Sequence, residues 1–202
     1  MPYYIQMEGC TVDQLVQFWL GDTPSWAESR ESFLDEVAYG LTNFDPQGVV
    51  FLISELESTD SQRRKSALTS LAYPEFFDQE IENHLLDCFV HAELADKMIA
   101  LWGFINSSHF PLQRKEVEAL TNGSDGRVAA SAMVYLSRAF DVEAISLLRE
   151  GLESENPRKR EYACDEVGDR FIQELAEDIA KLINDPDPHV SQAAKANYEM
   201  LT

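Results

Sequence analysis

Five stretches of the chain align without a gap inside a twelve-residue window, and that self-similarity limits what the chain can fold into more than any other property. The windows begin at Asp60, His91, Asp125, Asn156 and Asp187, so that three of the four intervals are 31 residues and the other is 34. Seven positions into each window stand Ala67, Met98, Ala132, Ala163 and Ala194. Eleven positions in stand Leu71, Trp102, Leu136, Val167 and Tyr198. Recurrence at such a period marks stacked supersecondary units, each of which buries its apolar face only against the next.

Within a window the apolar residues fall at offsets 3, 7, 8 and 11, which is one face of a helix. Val128, Ala132, Met133 and Leu136 show the pattern, as do Val190, Ala194 and Tyr198. Alanine at offset 7 has a physical reason, since two helices approach closely only where the side chain between them is small. A second amphipathic segment precedes the windows: Val49, Leu52, Ile53 and Leu56; Ile145, Leu148 and Leu152; Ala176, Ile179, Ala180 and Ile183. Each repeat therefore reads as helix, turn, helix. Asp45-Pro46, Asn156-Pro157 and Asp187-Pro188 place a capping side chain before a proline at the first helical position. Ser25-Trp26-Ala27-Glu28 has the spacing of a capping box. Residues 11–20 and 25–42 form one more helix pair that matches the repeat poorly, as a terminal cap does. Apolar alternation at period two is absent, so no strand is expected. The reading is an all-α superhelix of about six helical hairpins and twelve helices. Residues 1–45 are a degenerate capping pair, and residues 46–202 are five repeats in one array.

The charge is the other strong constraint. There are 36 acidic against 16 basic residues, a formal net charge of −20. Residues 1–113 hold 18 acids and five bases, and the first 62 hold 11 acids and a single base, Arg30. Such a field repels phosphates and disfavours generic binding of nucleic acid. It suits a cationic partner, drawn toward the N-terminal half. Three cysteines, Cys10, Cys88 and Cys164, are far apart and odd in number, so they give neither a disulfide framework nor a metal knuckle and favour a reducing compartment. No basic leader or spanning apolar run occurs, so the cytoplasm is the expected location.

The repeat resembles the HEAT superfamily. The resemblance rests on Asp187-Pro188-His189-Val190 followed by Ala193-Ala194, and on Asp125 with Val128 and Ala132; the family's Arg after the Val position is matched by Arg64 and Arg160, while Ala95, Ala129 and Ser191 depart from it. It covers residues 46–201. It implies a right-handed superhelix whose second helices line a concave face, usually a face that binds protein. HEAT-like iron hydroxylases carry His-Glu pairs, which this chain lacks, and HEAT-like DNA glycosylases carry a basic groove. Phycobilin-lyase-type relatives, whose repeats are equally short, remain an alternative, as does a general scaffold.

Candidate chemistry is thin. His84, Asp87, Cys88 and His91 would share one face of an unbroken helix, but the repeat register puts a turn near 90–92, so no metal site is assigned. Paired carboxylates (Asp35-Glu36, Asp165-Glu166, Glu177-Asp178) are expected on solvated faces in a chain this acidic. No phosphate loop, nucleophile elbow or HExxH occurs, and neither Cys88 nor Cys164 has an activating partner in the sequence. No catalytic residue and no cofactor is expected. The concave face is assigned from offsets 5 and 9 of the second helices (Lys65, Thr69, Asp96, Ala100, Ala130, Val134, Glu161, Asp165, Gln192, Ala196), a small apolar middle with acids on both sides. The residues expected to bind protein are Asp96, Val134, Tyr135, Glu161, Tyr162, Asp165, Asp169 and Glu199. Small size, acidity and lack of catalytic motifs point to a non-enzymatic inhibitor of the immunity-protein kind, which would neutralise a basic toxic enzyme such as a nuclease.

Overall fold

The computed structural model describes residues 4–90 and 93–202. Among them are twelve α-helices and no strand. They are α1 (Val12–Leu20), α2 (Arg30–Thr42), α3 (Gln47–Glu55), α4 (Ser61–Leu71), α5 (Gln79–Val90), α6 (Leu94–Ser107), α7 (Arg114–Thr121), α8 (Gly126–Ala139), α9 (Ala144–Leu152), α10 (Pro157–Asp169), α11 (Ala176–Ala180) and α12 (Pro188–Leu201). The chain is an all-α array of helical hairpins, as its period requires. Two compact units divide it: one runs to Val90 and includes Asn106–Ser108, and the other comprises His91–Ile105 and His109–Thr202.

In the first unit α2 packs on α1, α3 and α4. Its core is built from Leu15 and Trp19 of α1, Phe33, Val37 and Leu41 of α2, Leu52 of α3 and Leu71 of α4. Trp19 is fully buried, and its indole N–H donates to Glu55 Oε2 at 2.8 Å, which satisfies the one polar atom the ring carries inside. The sequence places the start of the second helix too early. The Ser25–Glu28 capping box does not form: α2 begins at Arg30 and is capped by Ser29, whose side chain accepts from the Ser32 N–H. Trp26 is instead drawn onto Tyr4, Phe18 and Phe33, with ring centroids 5.3, 6.1 and 5.5 Å away. Burial of one indole outweighs a cap worth about 1 kcal/mol. The true capping box is at Thr11, reciprocated by Gln14. Asp45 does not cap either, because α3 starts one residue later with Pro46 in the N-cap position and no side-chain cap. There the chain reverses so tightly that a Cβ on Gly48 would overlap the Leu41 carbonyl oxygen, and only glycine fits.

A recurrent turn sets the start of α4, α8, α10 and α12. Asp60, Asp125, Asn156 and Asp187 cap α4, α8, α10 and α12, each accepting from the backbone N–H two residues on, and in the three aspartates also three on. Two residues upstream, the side chains of Ser58, Ser154 and Asp185 accept the N–H of the capping residue at 3.3, 3.2 and 2.9 Å. Arg64 and Arg160, four positions into their windows, reach back to the Ser58 and Ser154 carbonyls and tie the turn to the helix it opens. The window that starts at His91 opens outside the described residues. Ala67, Ala132, Ala163 and Ala194 are all fully buried, where close helix contact needs them.

In the second unit α8 packs on α7, α9 and α10, and α10 packs on α12. Neighbouring repeats are also stitched by ion pairs about one period apart. Arg114 reaches Glu143, 29 residues on, at 2.8 and 2.6 Å. Arg138 reaches Glu166, 28 residues on, at 2.7–3.1 Å. Arg149 reaches Asp178, again 29 residues on, at 3.1 Å. Arg160 grips Asp185 through two bonds of 2.9 Å. This bidentate contact holds the Asp185 carboxyl below its ordinary range.

Candidate protein-binding face

The residues that the sequence assigns to binding lie on α6, α8, α10 and α12, and all eight of them are in the second unit. Glu161, Asp165 and Asp169 follow one another at four-residue spacing on α10 and form one stripe. Asp165 and Asp169 are exposed, Glu161 and Tyr162 are partly exposed, and Glu199 is exposed on α12. Arg158 pairs with Glu161 at 2.6 Å. Asp165 Oδ1 accepts from the Asn197 side-chain amide at 3.0 Å; among the described residues neither Asp165 nor Asp169 has an Arg or Lys in ion-pair contact, although Asp169 interacts with Arg138 at longer range. Partial burial, together with the Glu161 and Asp169 charges, raises the Asp165 carboxyl above its ordinary value. The stripe is thus under-neutralised.

The other three assignments are corrected. Val134 is 1% exposed, Tyr135 is fully buried and Asp96 is 7% exposed, so none presents a side chain to a partner. The physical reason is the enclosure of α8, in which every residue from Val128 to Ser137 is buried. Tyr135 packs on the Phe110 ring at 5.3 Å, and its hydroxyl accepts the Leu112 N–H at 2.9 Å; burial pushes its phenol up to about 12. Ala100 and Ala130, expected in the apolar middle of the face, are fully buried as well. Trp102 of α6 meets Tyr162 of α10, with centroids 5.9 Å apart, so the second helices of the repeats before and after that of α8 touch each other through these rings. The sequence carries a signal for this: residues 128–136 read VAASAMVYL, uncharged and apolar all round, the composition of an enclosed helix.

Two features of the site escaped the sequence altogether. Glu166 points inward, 3% exposed, and is held by Arg138 and Arg170, while its neighbour Asp165 points outward. The pair therefore never acts as two carboxylates on one substrate. A groove of about 490 Å³ lies between α7 and α9, floored by Met133 and Leu136 and bordered by Arg114, Glu118, Glu143, Glu150 and Lys159. Burial pulls the Lys159 ammonium below its ordinary pKa.

Burial pushes the Cys164 thiol up to about 12, so no thiolate forms there at neutral pH. His84 of α5 lies 3.7 Å from Glu57, and its suggested companion His91 falls outside the described residues. Among the described residues no three of His, Cys, Asp and Glu gather as a metal would need, and no helix is long and apolar enough to cross a membrane.

No protein-family model and no curated protein matches the sequence. Among solved structures the chain is similar to an engineered protein, at 18% identity and a TM-score of 0.46, over 94% of this chain and 96% of that one. It is similar also to a designed armadillo repeat protein, at 14% identity and a TM-score of 0.44, over 95% of this chain and all of the other.

Proposed function

We propose that the chain is a non-catalytic, HEAT-like protein-binding module, with residues 1–45 as its cap and residues 46–202 as its repeats. Its most specific role in this reading is that of a cytoplasmic inhibitor of the immunity-protein type, which covers a basic enzyme such as a nuclease. The observation that carries the reading is the α10 stripe. Of its three carboxylates only Glu161 is in ion-pair contact with a base among the described residues, Asp169 feels Arg138 at longer range, and Arg114, Arg138, Arg149 and Arg160 are engaged in ties between repeats. Internal pairing of the few bases leaves the excess of 36 acids over 16 bases facing outward. A surface of this sign speeds encounter with a cationic protein and excludes nucleic acid from the same place.

The test immobilises the wild-type chain and the charge-neutral variant Glu161→Gln/Asp165→Asn/Asp169→Asn and identifies what each captures from a source-cell lysate. Support requires a basic protein on the wild type, at least about tenfold weaker binding to the variant, and a further loss on raising the salt. Purified partner must lose its enzymatic activity when titrated with the chain. A partner held equally by both chains at all salt concentrations removes the electrostatic reading. Undiminished partner activity at saturation removes the inhibitor role and leaves only the module.

A further inference from the structure

We propose that the Trp102–Tyr162 ring pair is a seat for an arginine side chain of the basic partner, at the edge of the α10 stripe. This deepens the reading above and rests on it. The two rings stand 5.9 Å apart at 64°, edge toward face, and both are partly exposed, so ring surface is left open to solvent beside the carboxylates. The chain's own cations do not use it. Arg114 sits over the Phe140 ring at 5.0 Å, whereas no Arg or Lys among the described residues stands over Trp102 or Tyr162.

The charges around Tyr162 are graded along α10. Arg158 lies one turn before it and Arg127 of α8 also acts on it, whereas Asp165 lies nearly one turn after it and Asp169 about two. Glu161 cancels the charge of Arg158 at 2.6 Å. Arg138 already acts on Asp169, so the carboxylate beside Tyr162 that is open to an incoming cation is Asp165. It has spent one carboxylate oxygen on Asn197 and keeps the other. A guanidinium fits this better than an ammonium. It is planar and weakly hydrated, stacks on an aromatic face, and still directs N–H groups in its plane toward a carboxylate. A lysine would engage Asp165 as a point charge but gain less from the rings.

The test uses the full chain at low salt with two probes of equal charge, hexa-arginine and hexa-lysine. It reads the Kd of each and the indole N–H resonance of Trp102. Arginine peptide should bind about two- to fivefold more tightly than lysine peptide and should shift that resonance further. Tyr162→Leu should make the two affinities equal, and Tyr162→Phe, which keeps a ring, should restore the preference. Equal affinities in the wild type, with an unmoved Trp102 resonance, overturn the seat and leave the acidic face standing. If neither probe binds, or if Glu161→Gln/Asp165→Asn/Asp169→Asn weakens neither, the face falls and takes the seat with it. The wild-type comparison does not depend on any variant folding.

Discussion

Stacking of successive second helices is tested most sharply at Gly168. It is buried in α10 against α12, and a Cβ built on it lies 2.8 Å from the Asn197 Cβ and overlaps the Asn197 carboxamide. Asn197 is 5% exposed, and its amide donates to Asp165 Oδ1 at 3.0 Å and to the Ala193 carbonyl at 2.9 Å. Gly168→Ala must therefore expel that side chain or spread the helices. The two lost hydrogen bonds cost about 1 kcal/mol each, and the overpacking costs about 1 kcal/mol or more. Against this, alanine in a helix interior is favoured over glycine by about 1 kcal/mol. The net expectation is a loss of about 2 kcal/mol, read by urea denaturation, with hydrogen exchange faster in α10 and α12. Asn197→Ala alone should lose the two bonds, but the pair Gly168→Ala/Asn197→Ala should cost at least about 1 kcal/mol less than the two singles summed. A Gly168→Ala chain about 1 kcal/mol more stable than wild type, as in an open helix, would refute close packing of α10 on α12; strict additivity would do the same.

Two further perturbations probe the charges. Arg138→Met leaves Glu166 buried with only Arg170, at 3.5 Å, and should cost about 3 kcal/mol; Arg138→Met/Glu166→Leu should recover most of that in urea melts, and a neutral single variant would show that Glu166 is not confined. Partial burial raises the Asp165 carboxyl above 3.8, so its ionised form is penalised in the folded chain at neutral pH, and the penalty fades as pH falls through the raised value toward 3.8. Asp165→Asn keeps the oxygen that accepts from Asn197, and should gain about 0.5 kcal/mol or less at pH 7 after solvent screening, and nothing at pH 3. A gain that does not change with pH would count against this.

What the sequence made legible is what local chemistry decides. Asp60, Asp125, Asn156 and Asp187 cap their helices because a short side-chain oxygen before a helix has few competing uses. The alanine column is buried because spacing alone fixes a face. The errors fall where a distant contact outbid a local one. Trp26 left a sound capping pattern to join Tyr4, Phe18 and Phe33, which lie outside any window a cap can sense. The cross-repeat pairs, such as Arg138 with Glu166, are 25 to 29 residues apart and join exposed-looking positions whose closeness follows only from the stacking.

The binding face shows the same division most clearly. Register assigns Ala130 and Val134 to the concave face, and it says nothing of how far apart the second helices before and after α8 stand. Alanine at 129, 130 and 132 removes the bulk that would keep neighbours away from α8, and contact between Trp102 and Tyr162 accounts for the loss of its inner face to solvent. An apolar floor open to a partner would have made burial of hydrophobic area the main source of affinity. With the floor closed, the α10 rim stays exposed, where carboxylates stand beside the half-exposed Tyr162 ring and, across from it, Trp102 of α6. Affinity drawn from such a rim must be more salt-sensitive, and more selective for the shape of the cation, than affinity drawn from an apolar groove.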